Sequence, residues 1–130
     1  MTRYTRFLSA AIFLVLLAGF LPAQGVDLSG TWVGETTVPN SQEKDFVTLI
    51  LKKEASSYSG TVSDSLGMAI QSMLQRVKFE NNTLTFEFTI YTGAQETRIY
   101  SALKVNGEKM TGSWTSEAGD TGPLELQRKK

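Results

Sequence analysis

The chain of 130 residues contains no cysteine and no histidine, and its 13 basic residues balance its 13 acidic residues. These counts exclude disulfides, thiol nucleophiles, histidine-based catalytic triads and the usual zinc sites. A chain this close to neutral also lacks the electrostatic basis for binding nucleic acid or an anionic membrane surface.

The N-terminal segment has the features of an export signal. Arg3 and Arg6 precede an apolar run over residues 7–21, and Ala23-Gln24-Gly25 supplies the small residues that a signal peptidase accepts. The run falls short of the roughly 20 residues that span a bilayer, and an uncleaved membrane anchor is the alternative interpretation. We therefore predict a signal peptide over residues 1–25 and an exported protein, either periplasmic or extracellular.

Residues 26–130 are predicted to form a single domain. This part lacks two of the 13 basic residues and keeps all 13 acids, so its formal charge is −2, and it contains no predicted membrane span. Three strands are predicted in its first half because residues typical of strands are separated there by turn residues. They cover residues 28–38, 46–53 and 58–63.

Two parts of this half are ambiguous in sequence. The second strand is apolar on both faces, so the inward set is either Val47, Leu49 and Leu51 or Phe46, Thr48 and Ile50. Residues 66–75 space their apolar side chains in a way that fits one face of a helix about as well as a strand. We predict a strand there, because no capping residue accompanies the pattern and an alternation continues towards an Asn81-Asn82 turn.

The clearest signal in the chain is a three-stranded meander over residues 83–114. Apolar and polar residues alternate without interruption over residues 83–91, which predicts a half-buried strand. The next strand has an inward face that begins at Ile99. Asn106-Gly107 is predicted to form a two-residue type I′ turn because both residues accept positive φ, and the chain then returns to Trp114.

With a last strand over residues 123–129, the chain has eight predicted strands at a spacing of roughly 12 residues, which indicates an all-β domain. An open sheet of this size would expose two long edges and one apolar face, and closure removes both. We therefore predict an eight-stranded antiparallel up-and-down barrel. A β-sandwich is the alternative, but it needs crossover connections, and few connections here are long enough.

Three residues at the two ends of this domain carry a family resemblance. Gly30-Thr31-Trp32 opens the first strand and Arg128 ends the last one, and in this the chain resembles the calycin superfamily, which comprises lipocalins, fatty-acid-binding proteins and avidins. In that family an indole plugs the closed end of the barrel and a basic side chain packs over it with cation–π attraction. The resemblance implies a lipocalin-like barrel with Gly30, Trp32 and Arg128 as its structural signature.

The chain also departs from each calycin branch. It has no room for the helix pair that covers the fatty-acid-binding proteins, and it lacks the long first loop and the disulfides of lipocalins. Two tryptophans, Trp32 and Trp114, are too few for the biotin site of avidins. Arg98-Ile99-Tyr100 is similar to the Arg-x-Tyr pair that holds a fatty-acid carboxylate, but if Ile99 faces the core, Arg98 and Tyr100 point outward.

Inward-facing residues of the predicted barrel form the candidate ligand site: Trp32, Phe86, Phe88, Ile99, Ser101 and Trp114. At eight strands, side chains either fill the interior or leave a small cavity, and aromatic residues of this size favour a mostly filled interior. If a cavity exists, Met68 or Met73 would contribute the flexible, adaptable side chain of its wall.

No catalytic residue, metal ligand or cofactor is predicted. Paired carboxylates could still supply acid–base chemistry in a chain without histidine. The acids fall in predicted loops or on polar faces, where a solvated surface charge is the expected role: Asp27, Glu35, Asp45, Glu87, Glu96, Glu117 and Glu125.

The sequence is consistent with two functions. The first is an exported, non-catalytic barrel that binds a small apolar or amphipathic ligand. The second is a filled barrel that acts as an accessory or protein-interaction domain in the cell envelope and presents Tyr91 and Tyr100 on its polar outer face. The pattern of residues assigns no oligomeric state.

Overall fold

The computed structural model describes residues 26–130, so the predicted signal peptide lies outside the described residues. The described part contains nine antiparallel strands and no helix. The strands are β1 (Gly30–Thr37), β2 (Lys44–Glu54), β3 (Ser57–Asp64), β4 (Ser72–Met73), β5 (Gln75–Glu80), β6 (Thr83–Thr92), β7 (Gln95–Asn106), β8 (Lys109–Ser116) and β9 (Thr121–Arg128).

These strands form one nearly closed sheet. Its order is β4-β3-β2-β1-β9-β8-β7-β6-β5, so the first long strand pairs with the last. Apart from this closure, hydrogen-bonded neighbours follow each other in sequence. The predicted all-β, antiparallel up-and-down barrel is confirmed, and the single sheet rules out the sandwich.

The count of nine strands instead of eight arises at the predicted fourth strand. Only Ser72–Met73 pairs with β3, and the chain then moves to the other side of the gap, where β5 pairs with β6. Positive φ at Gly67 (79°), Gln71 (47°) and Arg76 (50°) breaks the pleat three times within ten residues. The predicted fourth strand is therefore replaced by a turn and two short strands, because residues in the left-handed backbone conformation interrupt regular strand pairing.

Residues 65–74, which we call the strap, bridge the gap between β3 and β6. On the β6 side, the backbone N–H of Tyr91 donates to the carbonyl of Met68 at 2.8 Å. Ser72 Oγ donates to the carbonyl of Thr89 at 2.7 Å and accepts from the N–H of the same residue at 3.2 Å. The strap thus closes the barrel through separate hydrogen bonds where a continuous ladder is missing.

The ambiguous register of β2 is resolved by its neighbours. Val47, Leu49 and Leu51 are buried, whereas Phe46 is 58% exposed and Ile50 is also exposed. Register shifts by one residue would move the whole apolar set to the other face. The inward set is therefore the one that begins at Val47.

The turn predicted at Asn106-Gly107 lies one residue further along the chain. Asn106 pairs with Lys109, so the two central residues are Gly107 and Glu108. Gly107 has a φ of 63°, and Glu108 is not among the residues with positive φ. Positive φ at the first centre alone is the requirement of a type II′ turn, which places glycine first. The inward faces on both sides of the turn are unchanged, because the register moves by an even number of residues.

One end of the barrel is densely packed. Side chains that exclude solvent completely or almost completely fill it: Leu28, Trp32, Leu49, Leu84, Leu103, Met110 and Leu126. Leu28 precedes β1 and folds back over the opening, where its carbonyl accepts the indole N–H of Trp32 at 2.9 Å. This hydrogen bond satisfies the buried donor that an indole brings into a core.

The three signature residues meet at this packed end. The guanidinium carbon of Arg128 lies 4.4 Å from the centre of the Trp32 ring. Its two terminal nitrogens donate to the carbonyls of Ser29 (2.7 Å) and Asp27 (2.8 Å). A Cβ on Gly30, whose φ is 128°, would meet Arg128 Nη1 at 3.3 Å. The basic side chain therefore seals the packed end from outside.

Candidate functional site

The other half of the barrel interior is a cavity of about 410 Å³. It opens at the end of the barrel opposite Trp32, between the β1–β2 connection, the strap and the ends of β6 to β9. Most of its wall is aliphatic or aromatic, including Val47, Leu49, Val62, Phe86, Phe88 and Ile99. The interior is thus filled at one end and open at the other, where the sequence predicted a mostly filled barrel.

The predicted site residues divide between the two halves. Phe86, Phe88, Ile99 and Trp114 line the cavity, and the rings of Phe86 and Phe88 lie 6.0 Å apart. Trp32 belongs to the packed end and Ser101 does not line the cavity wall. Ser101 is 4% exposed, and its hydroxyl has no hydrogen-bond partner among residues 26–130.

Trp114 is held at the cavity wall by its own hydrogen bond. Its indole N–H donates to Thr36 Oγ1 at 2.8 Å, and Thr36 in turn donates to the carbonyl of Pro123. Gly122, which faces the ring, makes room for it, because a Cβ there would lie 2.9 Å from the indole. The polar atom of Trp114 is therefore already used, and the ring offers the cavity an apolar surface.

The strap contributes the cover of the cavity. Met68 and Ala69 line the wall, as expected for one of the two methionines considered from sequence. Met73 is 74% exposed and faces outward. Met68 is therefore the flexible apolar side chain of the site.

Two carboxyl groups face this cavity, and one of them, Asp45, was expected on the surface from sequence. Asp45 on β2 is 4% exposed, and both Asp45 and Asp64 on β3 line the wall. Asp45 Oδ1 accepts from the N–H of Ser65 (3.1 Å), from the Ser65 hydroxyl (3.1 Å) and from the N–H of Leu66 (3.3 Å). Asp64 Oδ1 accepts from the N–H of Ala69 at 2.8 Å. The expectation of a solvated Asp45 is wrong, because β2 carries this residue on the same face as Val47.

Burial and a like charge change the acidity of this pair. Burial, the hydrogen bond to Asp64 and the charge of that neighbour together raise the pKa of Asp45 to about 6, against the opposing effect of the hydrogen bonds from Ser65 and Leu66. Below that pH, the protonated Asp45 donates to Asp64. A neighbouring carboxylate adds to the free-energy cost of ionising a buried carboxyl group such as that of Asp45.

The side chains of Arg98-Ile99-Tyr100 point in the directions predicted from their alternation along the strand. Ile99 is buried and Tyr100 is exposed. Arg98 lies on the outer face, where Nη1 contacts Glu87 Oε1 and Gln75 Oε1, both at 3.0 Å. Although desolvation opposes the change, the hydrogen bonds from Arg98 and Arg76 hold the pKa of Glu87 below its usual range. This arginine is part of an ion-pair network and does not reach the cavity.

Comparisons with protein-family models, curated proteins and solved structures find no match to this chain. Membership of the calycin superfamily therefore stays a prediction that is compatible with the barrel. Between residues 26 and 130 there is no helix of the length and apolarity needed to cross a membrane. The same residues contain no group of three or more acids that could hold a metal ion.

Proposed function

We propose that this protein is a non-catalytic barrel that binds a small apolar or amphipathic molecule in the open half of its interior. The observation that carries the proposal is the cavity of about 410 Å³ with mostly apolar walls. Small-molecule sites in proteins are typically concave and apolar, with a few polar groups, and measure roughly 300–1,000 Å³. The cavity has these properties, and several strands contribute its polar groups, among them Thr36, Asp45 and Thr97.

The second function considered from sequence required a filled interior. The cavity removes that premise, although Tyr91 and Tyr100 are exposed as expected. We therefore carry the ligand-binding function forward.

Trp114 gives the binding test a built-in reporter. It lines the cavity, whereas Trp32 lies in the packed end. We expect 1-octanol to change the tryptophan fluorescence saturably and to add its mass to the protein in native mass spectrometry. Trp114→Phe should abolish the fluorescence response and keep the added mass. No saturable response and no bound species with octanol, octanoate or octylamine would overturn the proposal.

Export is the second part of the proposal. It rests on the N-terminal pattern of Arg3, Arg6 and the apolar run, which lie outside the described residues. Expression of the full chain in a bacterial host, followed by N-terminal sequencing of the protein recovered outside the cytoplasm, should give Val26 as the first residue. Recovery of an intact Met1 in the cytoplasm would contradict it.

A further inference from the structure

The cavity contains acids without a matching base. Of the described residues that line it, Asp45, Asp64 and Asp120 are acidic, and none is lysine or arginine. Lys44, which neighbours Asp45 in sequence, lies on the outer face and pairs with Glu35 at 3.0 Å. Buried carboxyl groups normally pair with a cation or bind one, because an unpaired buried charge is costly.

The two inner acids are positioned by the fold. Asp45 lies two residues before Val47, on the same face of β2. Asp64 ends β3 directly opposite Val47 in the pairing register. The strap fixes one oxygen of each group, through the N–H groups of Ser65 and Leu66 on Asp45 and of Ala69 on Asp64. Both carboxyl groups are therefore held in place before any ligand arrives, which reduces the entropic cost of binding.

One buried oxygen of this pair has no donor among the described residues. Asp64 Oδ2 is buried, and it has no hydrogen-bond partner in the described part of the chain. A buried acceptor that is left unsatisfied costs free energy. At low pH the protonated carboxyl group of Asp45 can donate a hydrogen bond to this oxygen. At neutral pH a ligand with N–H donors can donate to it instead.

We propose that the cavity selects amphipathic ligands whose polar end is a protonated amine, held between Asp45 and Asp64, with the apolar tail against Phe86, Phe88 and Trp114. This inference rests on the proposed ligand-binding function and specifies its ligand class. An alkylammonium ion supplies up to three N–H donors, carries the charge that the cavity lacks, and needs only the two carboxyl groups that are present. A Ca²⁺ or Mg²⁺ ion would need more oxygen ligands than these two carboxyl groups provide.

Below about pH 6, binding exchanges one cation for another: an ammonium ion enters with a charge of +1 and the proton on Asp45 leaves to solvent, so the charge of the site is conserved. Above that pH Asp45 has already lost its proton, and the ammonium ion enters without displacing one. The amine keeps its own proton, since its pKa of about 10 resembles that of lysine. With a titrating group near pH 6, affinity for the amine should rise by about tenfold from pH 5 to pH 7 and then level off.

The experiment compares three ligands with the same tail and different polar ends: octylamine, 1-octanol and octanoate. Isothermal titration calorimetry at pH 5, 6, 7 and 8 should show octylamine binding at least tenfold more tightly than octanol at pH 7, and this preference should shrink towards pH 5. Octanoate should bind most weakly at pH 7. Repeating the pH 6 titration in two buffers of different ionisation enthalpy should show proton release with octylamine and none with octanol.

Variants of the acids locate the effect. Asp45→Asn and Asp64→Asn should each reduce octylamine affinity by about tenfold and leave octanol affinity within about twofold, because amides keep the shape and lose the charge. Glu96→Gln, a change at an exposed acid that does not line the cavity, is the matched control and should retain the preference. Circular dichroism checks that each variant folds, and the pH series on the unmodified protein needs no variant.

The outcomes separate the two proposals. If octanol and octanoate bind as tightly as octylamine at every pH, the amine selectivity is overturned and the ligand-binding function stands. Octylamine binding that is unchanged in both Asp→Asn variants would also overturn it. If none of the three ligands binds, both proposals fail.

Discussion

Asp45 shows how a single residue can be misassigned from sequence. Its parity on β2 is that of Val47, Leu49 and Leu51, so it points inward once the register is known. The register could not be read locally, because Phe46 and Ile50 make the opposite face equally apolar. Pairing with β3 decides it, and that is a property of the assembled sheet. The alternation along β2 places Asp45 on the same face as Val47, but only pairing with the neighbouring strands decides whether that face points inward.

The pKa of Asp45 predicts a pH dependence of folding stability. The pKa of Asp45 in the folded protein, about 6, lies above its ordinary value of 3.8. Asp45 therefore binds a proton more tightly in the folded state than in the unfolded state, and protonation stabilises the fold. This contribution, about 3 kcal/mol, is fully present below pH 3.8 and is lost as the pH rises through 6. Urea denaturation between pH 3.5 and pH 8 should show that loss relative to Asp45→Asn, in which the amide keeps both a donor and an acceptor. Glu43→Gln, a change at an exposed acid, should behave like the unmodified protein, and parallel pH profiles for Asp45→Asn and the unmodified protein would contradict the assignment.

Arg128 makes the second prediction at this scale. Its replacement by alanine removes the stacking on Trp32 and two hydrogen bonds to carbonyls, together worth about 2–3 kcal/mol of unfolding free energy. Arg128→Lys should lose less, because an ammonium can still lie over the ring but cannot reproduce the fork of donors. Urea denaturation measures both, and Lys129→Ala is the control. Octanol affinity should be unchanged in Arg128→Ala, since the residue lies at the packed end, and equal stability of the alanine variant and the unmodified protein would refute the role.

At the scale of elements, the long strands were predictable and the strap was not. β6 and β7 follow an uninterrupted alternation, and the order of tight turns fixes their antiparallel neighbours. The strap has no period of its own, because left-handed backbone at Gly67 and Gln71 turns it between two strands that it does not continue. Its conformation is set by partners on both sides of the gap, and local sequence does not encode them.

The strap should be the least protected part of the barrel. Ser72→Ala removes both hydrogen bonds between this side chain and Thr89, so hydrogen exchange at the amides of Thr89 and Tyr91 should accelerate by about tenfold, in line with a loss of about 1–2 kcal/mol of local stability. Ser59→Ala, which loses only an exposed hydrogen bond to Glu54, is the control and should leave those amides unchanged. Unaltered exchange in Ser72→Ala would show that the strap is held by other contacts.

Three glycines mark places where a strand approaches its neighbour too closely for any side chain: Gly34 on β1, Gly60 on β3 and Gly112 on β8. At Gly112 a Cβ would lie 1.9 Å from the carbonyl oxygen of Ala102 on β7. Barrels use such glycines to bend their strands. Gly112→Ala should therefore cost more than about 3 kcal/mol or prevent folding, while Ser113→Ala beside it should be nearly neutral. Thermal unfolding followed by circular dichroism compares them, and a stable Gly112→Ala protein would show that the two strands can separate there.

The whole molecule has two unlike ends. Packing and the Arg128 seal close one, and the acids and the strap surround the opening of the other. Sequence predicted the closed barrel, because eight strands with short turns have few alternatives, but it did not predict how the interior volume is shared. That division depends on where Leu28 folds over the barrel and on how the strap crosses the gap, and both are long-range contacts.

Closure by β1 and β9 predicts tolerance to circular permutation. Trp32 pairs with Arg128, and the N–H of Lys129 donates to the carbonyl of Thr31 at 2.8 Å, so the two ends of the domain are neighbours. A permutant that joins Lys130 to Val26 by a short Gly-Ser linker and opens between Ala55 and Ser56, in an exposed turn, should keep its fold and lose less than about 2 kcal/mol. A permutant opened within β7, between Ala102 and Leu103, should not fold. Circular dichroism and urea denaturation compare them, and loss of folding in the first would contradict the predicted tolerance.

The same pairing of β1 with β9 constrains the timing of folding during synthesis. β1 is the first of the nine described strands to leave the ribosome and its neighbour β9 is the last of them, so the hydrogen bonds on that side must wait until β9 has been made. Until then, Trp32 lacks both the ladder beside it and the arginine that covers it. The barrel therefore cannot be completed until β9 has left the ribosome, and the nascent chain stays open along one edge until then.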